Sequence, residues 1–181
     1  AAGKIELDRK NLYHCKEILV SVQVPPKPIY GPSGNNIGTD YNTEIDYAII
    51  RLDRPVYGRT PLPIRSVGKV ADDANLIAIG HPQGLPLKIT YHGLVKKNEY
   101  HNMFSTNLDG IPGNSGGPVI DLNSGMVEGI LVSGGYQYRY DWSNRCFALA
   151  QYADDESDPK LLTGVTRITS LAELFSLNNQ Q

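Results

Sequence analysis

The chain has 181 residues, with 17 Lys and Arg against 19 Asp and Glu, a net charge of −2 and 40% hydrophobic residues. That length can bury a core without a metal or a dense disulfide frame, and the spread of Val, Ile and Leu along it argues against disorder. A near-zero charge argues against a nucleic-acid binder that works by neutralising phosphates, and no apolar run is long enough to span a bilayer.

In chain order, Ala1-Ala2-Gly3-Lys4 carries no apolar signal core. Ile18–Val24 alternates and predicts a strand with one wet face. Pro25-Pro26 ends it, and the Gly-punctuated stretch Tyr30–Asn42 reads as a long surface loop. Ile45–Leu52, Asn75–Gly80, Leu87–Val95 and Met103–Asn107 read as further strands. Pro118–Leu122 and Met126–Val132 form a predicted hairpin around Asn123-Ser124-Gly125, and Gly164–Ile168 is a short final strand. Only the end looks helical: Thr169 or Ser170 caps a stretch in which Leu171, Leu174, Phe175 and Leu177 share a stripe. Ala150–Lys160, with Asp154, Asp155, Glu156 and Asp158, reads as a solvated acidic loop. Many short strands and one terminal helix predict an all-β sandwich or barrel.

The chemistry concentrates in Gly113-Asn114-Ser115-Gly116-Gly117-Pro118. A serine hydroxyl becomes a nucleophile when a base takes its proton and backbone amides hold the resulting oxyanion. Glycines around Ser115 allow a tight bend, leave the Gly113 and Ser115 amides available and clear room for a substrate carbonyl. Upstream, Asp46 opens an apolar strand, where a carboxylate needs hydrogen bonds; a histidine N–H is a suitable donor. Cys15 and Cys146 are either one long-range disulfide, contributing roughly 4–5 kcal/mol on the chain-entropy model, or two buried thiols.

The acid strand Asp46-Tyr47-Ala48-Ile49-Ile50-Arg51-Leu52 and the Gly113–Pro118 loop, in this order, resemble the trypsin-like (chymotrypsin-fold) serine peptidases. Gly129–Gly134 is similar to the strand that pairs with substrate backbone, and Gly164–Ile168 to the strand lining the specificity pocket. Gly80–Lys88 and Asp53-Arg54-Pro55 resemble bacterial secreted or periplasmic members in particular. The resemblance implies two antiparallel β-barrels, the first incomplete, with a C-terminal helix. Residues 1–70 would be the remainder of the first barrel, carrying the acid strand, and 71–181 the second.

It implies Ser115 as nucleophile, Asp46 as the acid and the amides of Gly113 and Ser115 as the oxyanion hole. Asp109, Val132, Ser133, Gly134 and Gly164 would contact substrate. Asp109, six residues before Ser115, would favour a basic substrate side chain. Asn114 stands where animal members carry an aspartate that receives a new N-terminal amine, so the pocket is expected to be preformed.

The base must precede Asp46 in chain order. His14-Cys15 mimics the family pair, but it follows the charged, bulky run Arg9–Tyr13, with thirteen residues before it. The base is therefore expected on an upstream segment, bound as a separate N-terminal fragment, with His14 as the alternative within the chain. His81 reads as part of a turn, and His92 and His101 as surface residues. No metal site or cofactor is expected, and the expected location is secreted or periplasmic. The expected activity is hydrolysis of polypeptides. The competing expectation is a non-catalytic relative that binds a peptide or protein in its cleft.

Overall fold

The computed structural model describes residues 8–135, 138–149, 161–171 and 174–176. In the first half, β1 (Cys15–Val24) and β4 (Ile45–Leu52) pair antiparallel, with Cys15 opposite Leu52 at one end and Gln23 opposite Asp46 near the other. Between them β2 (Lys27–Tyr30) and β3 (Asn36–Asp40) form a separate two-stranded sheet.

The second half closes. Strands β5 (Asn75–Gly80), β6 (Lys88–Lys97), β7 (Met103–Thr106), β8 (Pro118–Asp121), β9 (Val127–Ser133) and β12 (Thr163–Arg167) form a barrel in the order β12-β7-β6-β5-β8-β9. A further pair, β10 (Tyr138–Asp141) and β11 (Cys146–Leu149), forms its own sheet between β9 and β12 in sequence.

The barrel interior holds Leu76, Phe104, Leu108, Val119, Leu131 and Val165, all essentially inaccessible. Leu76 and Ala78 of β5 face this interior, while Ile77 packs outside with Ile120, Val127 and Ile64. Both faces of β5 are covered, which is why its sequence is a continuous apolar run rather than an alternation. Arg65, on the connection to the barrel, donates to both carboxylate oxygens of the buried Glu128 on β9, at 2.5 and 2.9 Å.

A second cluster joins the halves. Tyr47 of β4 packs with Ile168 and Leu171, flanked by Val20, Val22, Ile49 and Ile130. Each such side chain contributes roughly 1.5–3 kcal/mol of burial, enough to seat β1–β4 on the barrel.

The all-β expectation holds, with one barrel closed and the first-half strands paired only two by two. Tyr30–Asn42 is not a loop but contains most of the β2–β3 hairpin. Its strand residues are nearly all exposed and Pro28 cannot donate to a ladder, so no burial alternation marks them in the sequence. Strands β10 and β11 were likewise not expected. Cys15 and Cys146 are neither bridged nor buried; both are free, exposed thiols in sheets that share no strand.

At the C-terminus a 3-10 turn covers Ile168–Ser170, and residues 174–176 are helical. Leu171, where the helix was expected to begin, closes that turn instead, and residues 172, 173 and 177 of the expected helix, with the Ala150–Lys160 loop, lie outside the described residues. Among the described residues, no helix is long and apolar enough to cross a membrane.

Candidate active site

The Gly113–Gly117 loop bends sharply into β8 and is held on three sides. Gly116 N–H donates to Leu131 O at 2.8 Å, and Leu131 N–H returns a bond to Gly117 O at 3.0 Å, fixing the loop on β9. Asn114 N–H is taken by Ile111 O and Gly117 N–H by Asn114 O. Gln83 N–H donates to Pro112 O at 2.8 Å, joining the loop to the turn after β5. Among the described residues this leaves the amides of Gly113 and Ser115 without a hydrogen-bond partner, alternating with amides that have one. Ser115 itself is exposed.

Gly113 is required here for two reasons. Its φ of +99° disfavours any residue with a Cβ, and a Cβ would lie 2.8 Å from Gln83 N and 2.9 Å from His81 O. Neighbouring Asn114 is buried, and its Oδ1 has no partner among the described residues.

A cleft of about 320 Å3 runs along this loop, lined by Ser115, Gly113, Gly116, Ile79 and His81 among others. The His81 Nδ1 lies 3.2 Å from Leu85 O, a contact in which a protonated Nδ1 donates. The turn that holds His81 is brought to the nucleophile loop, because β5 pairs antiparallel with β8 and the end of β5 meets the start of β8. His92 and His101 are exposed, and no group of His, Cys, Asp or Glu among the described residues fits a metal.

Asp46 sits at the start of β4, at the end of the β1–β4 pair away from Cys15. Its backbone is clamped to the barrel by the buried Thr166: the Thr166 hydroxyl donates to Asp46 O at 2.9 Å and accepts from Asp46 N–H at 3.3 Å. Thr166 pairs with Ile130 on β9, the residue before Leu131, so a short run of bonded residues connects the acid strand to the nucleophile loop. The Asp46 carboxylate accepts a hydrogen bond from Gln23 Nε2 at 3.1 Å.

His14 is at the opposite end of the pair. It precedes β1 while Asp46 faces Gln23, nine residues further on, which at a strand rise of ~3.3 Å is roughly 30 Å away. The alternative of His14 as base fails on that geometry.

Ser133 and Gly164 are register partners at the ends of β9 and β12 and share a cavity of about 110 Å3 with Glu44, Tyr41 and Tyr100. Burial, with the nearby Asp46 charge, raises the Glu44 carboxyl above its ordinary pKa. Tyr41 and Tyr100 pack with tilted rings, 5.3 Å between centroids. The sequence reading missed Glu44, whose only signal was a second acid two positions before Asp46. Gly134 lies directly against the Gly110 carbonyl, and Val132 is half-buried. Asp109 is exposed rather than enclosed.

The chain matches the family model described as a trypsin-like peptidase domain over residues 21–130, which includes both Asp46 and Ser115. No curated protein matches it significantly. Among solved structures it is similar to the active form of the Rv3671c protease from M. tuberculosis, with TM-score 0.48, 20% identity and coverage of 72% of this chain and 52% of that one. The inactive form gives TM-score 0.48, 18% identity and coverage of 74% and 61%. The HtrA-type protease AlgW with decapeptide gives TM-score 0.48, 17% identity and coverage of 85% and 44%. The chain thus spans about half the length of these structures. With the match covering well over half of its residues, the acid strand and the glycine-flanked serine among them, this chain belongs to the trypsin-like peptidase domain family.

Proposed function

We propose that the chain is the larger part of a secreted or periplasmic serine endopeptidase acting on polypeptides. Ser115 attacks the scissile carbonyl, the Gly113 and Ser115 amides hold the oxyanion, and water releases the acyl group. Asp46 orients a histidine carried on a segment outside the described residues. Residues 1–70 complete a first barrel with that segment, and 71–181 form the second barrel with the substrate contacts at Asp109, Val132, Ser133, Gly134 and Gly164.

The observation that carries the reading is the alternation in the nucleophile loop: two unused amides, at Gly113 and Ser115, beside an exposed hydroxyl. A second observation supports the added segment. Ile18 and Ile50 face each other across β1 and β4 yet are 64% and 50% exposed, and Ile29 and Ile37 on β2 and β3 are also exposed. Apolar residues on paired strands without a covering layer fit a barrel that further strands would close.

Fluorophosphonate labelling tests the proposal. The complete protein, including any upstream segment, is expected to label at Ser115, and Ser115→Ala to abolish labelling. A complete protein that does not label overturns the peptidase reading. The Gln23 amide on the Asp46 carboxylate favours a second reading, a cleft that binds a peptide without cutting it. That reading expects retained peptide binding and no turnover in the complete protein.

A further inference from the structure

The nucleophile loop leads into β8, and β8 lies between β5 and β9 in the barrel. The cleft therefore has two sides. On one stand the proposed substrate contacts Ser133 of β9 and Gly164 of β12. On the other stands the end of β5 with His81, which lines the cleft together with Ser115. His81 is exposed, but the turn that carries it is tightly bonded. Gln83 N–H donates to Pro112 O at 2.8 Å, Gly84 N–H to His81 O at 3.2 Å and Leu85 N–H to Pro82 O at 2.9 Å. With Nδ1 directed at Leu85 O, Nε2 is the ring nitrogen left to meet a ligand.

Lys88 adds a permanent charge to the same side. It is the register partner of Gly80, the residue before His81. Directly opposed residues of an antiparallel pair project from the same face of the sheet. At Gly80 that face meets the nucleophile loop, because a Cβ there would lie 2.5 Å from Asn114 Oδ1 and 3.2 Å from Asn114 Cα. Lys88 thus projects on the loop's side of the sheet, and it is exposed. From Ile79 to Thr90 and from Gly110 to Ile120 the sequence holds no Asp or Glu, so neither segment brings a compensating charge. Asp109 is the nearest acid along the chain, and Gly110 beside it packs on Gly134 and Thr163, on the β9–β12 side. The cleft is polarised across Ser115. A carboxylate is an acceptor that both β5-side groups can serve at once, the ammonium of Lys88 and a protonated Nε2 of His81. A basic side chain would meet Lys88 as a like charge, and an apolar one would use neither group.

We propose that His81 and Lys88 form a subsite for an Asp or Glu side chain in the departing half of the polypeptide substrate, the half that lies over β5 when the acyl half is at Ser133 and Gly164. The placement in the departing half rests on the peptidase reading; the preference for a carboxylate does not.

The complete protein carrying Ser115→Ala is titrated at low salt with a fluorescein-labelled peptide bearing Asp and Glu among alanines, and with its Asn and Gln counterpart. Anisotropy is expected to show the acidic peptide binding about fivefold more tightly, a preference that falls below about twofold when His81→Asn and Lys88→Met are added. Both side chains are exposed, and Asn at position 81 can still donate to Leu85 O. Lys16→Met, which removes a lysine charge near the Cys15 end of β1, is expected to keep the preference. Equal binding of the two peptides, a preference that survives the paired substitutions, or one that Lys16→Met removes as well overturns the proposal. Digestion of a mixed peptide library by the protein with Ser115 intact then locates the subsite by mass spectrometry. Asp and Glu are expected to be enriched just after the cut, and enrichment only before the cut overturns the placement. Serine labelling decides the peptidase reading and the titration decides the carboxylate site, so the two fail separately.

Discussion

Ser115 owes its candidate role to its neighbours more than to its own hydroxyl. Asn114, Gly116 and Gly117 spend their amides on the loop and on β9, while those on either side of Asn114 stay open. The glycine spacing made this legible in the sequence, because only a residue without a Cβ tolerates the Gly113 backbone. Glu44 was not legible in the same way, since its environment is made by Tyr41, Tyr100 and Ser133 from three separate segments. Burial first, and the Asp46 charge second, raise its pKa, so the folded state holds that proton more tightly than the unfolded chain does. The resulting stabilisation is full below the ordinary glutamate value of 4.5 and is lost as pH rises through the raised one. Glu44→Gln is therefore expected to raise Tm near neutral pH and to lose that advantage in acid. Parallel melts across pH check this, and an offset that does not change with pH would contradict it.

Among the elements, β9 carries the most. It pairs with β8 and β12, receives the nucleophile loop at Leu131 and takes the Arg65 fork at Glu128. The Glu128 side chain is fully buried, so Arg65→Ala would leave its carboxylate without the cation that hydrogen-bonds it, with buried Arg167 the remaining positive charge nearby. Removing one partner of a buried pair costs about 3–5 kcal/mol, and urea unfolding should show a loss of that order. A loss below about 1 kcal/mol would mean that Arg167 or water compensates the Glu128 carboxylate. The strand predictions succeeded where one or both faces are buried, as in β4, β5 and β9, because burial writes a periodic or continuous apolar pattern. They failed at β2, β3, β10 and β11, which pair in twos with mostly exposed side chains and leave no such pattern.

At the scale of the whole molecule the two halves differ in closure. The barrel buries Leu76, Phe104, Leu131 and Val165 completely, whereas β1 and β4 expose Ile18 and Ile50. Amide hydrogen exchange should reflect this, with β5–β9 and β12 protected to the level of global unfolding and the β2–β3 and β10–β11 hairpins exchanging by local opening. Uniform protection across both hairpins and the barrel would contradict the contrast. By itself, the sequence determined the all-β class, the strands with a buried face, and the glycine-flanked serine with an acid strand before it, because these are local demands on backbone and side chain. Only the tertiary structure decided that His14 stands a strand's length from Asp46, that both thiols are free, and that Glu44 shares a cavity with Ser133. Those are distances between segments remote in sequence, fixed by strand register and barrel closure, which no local pattern encodes.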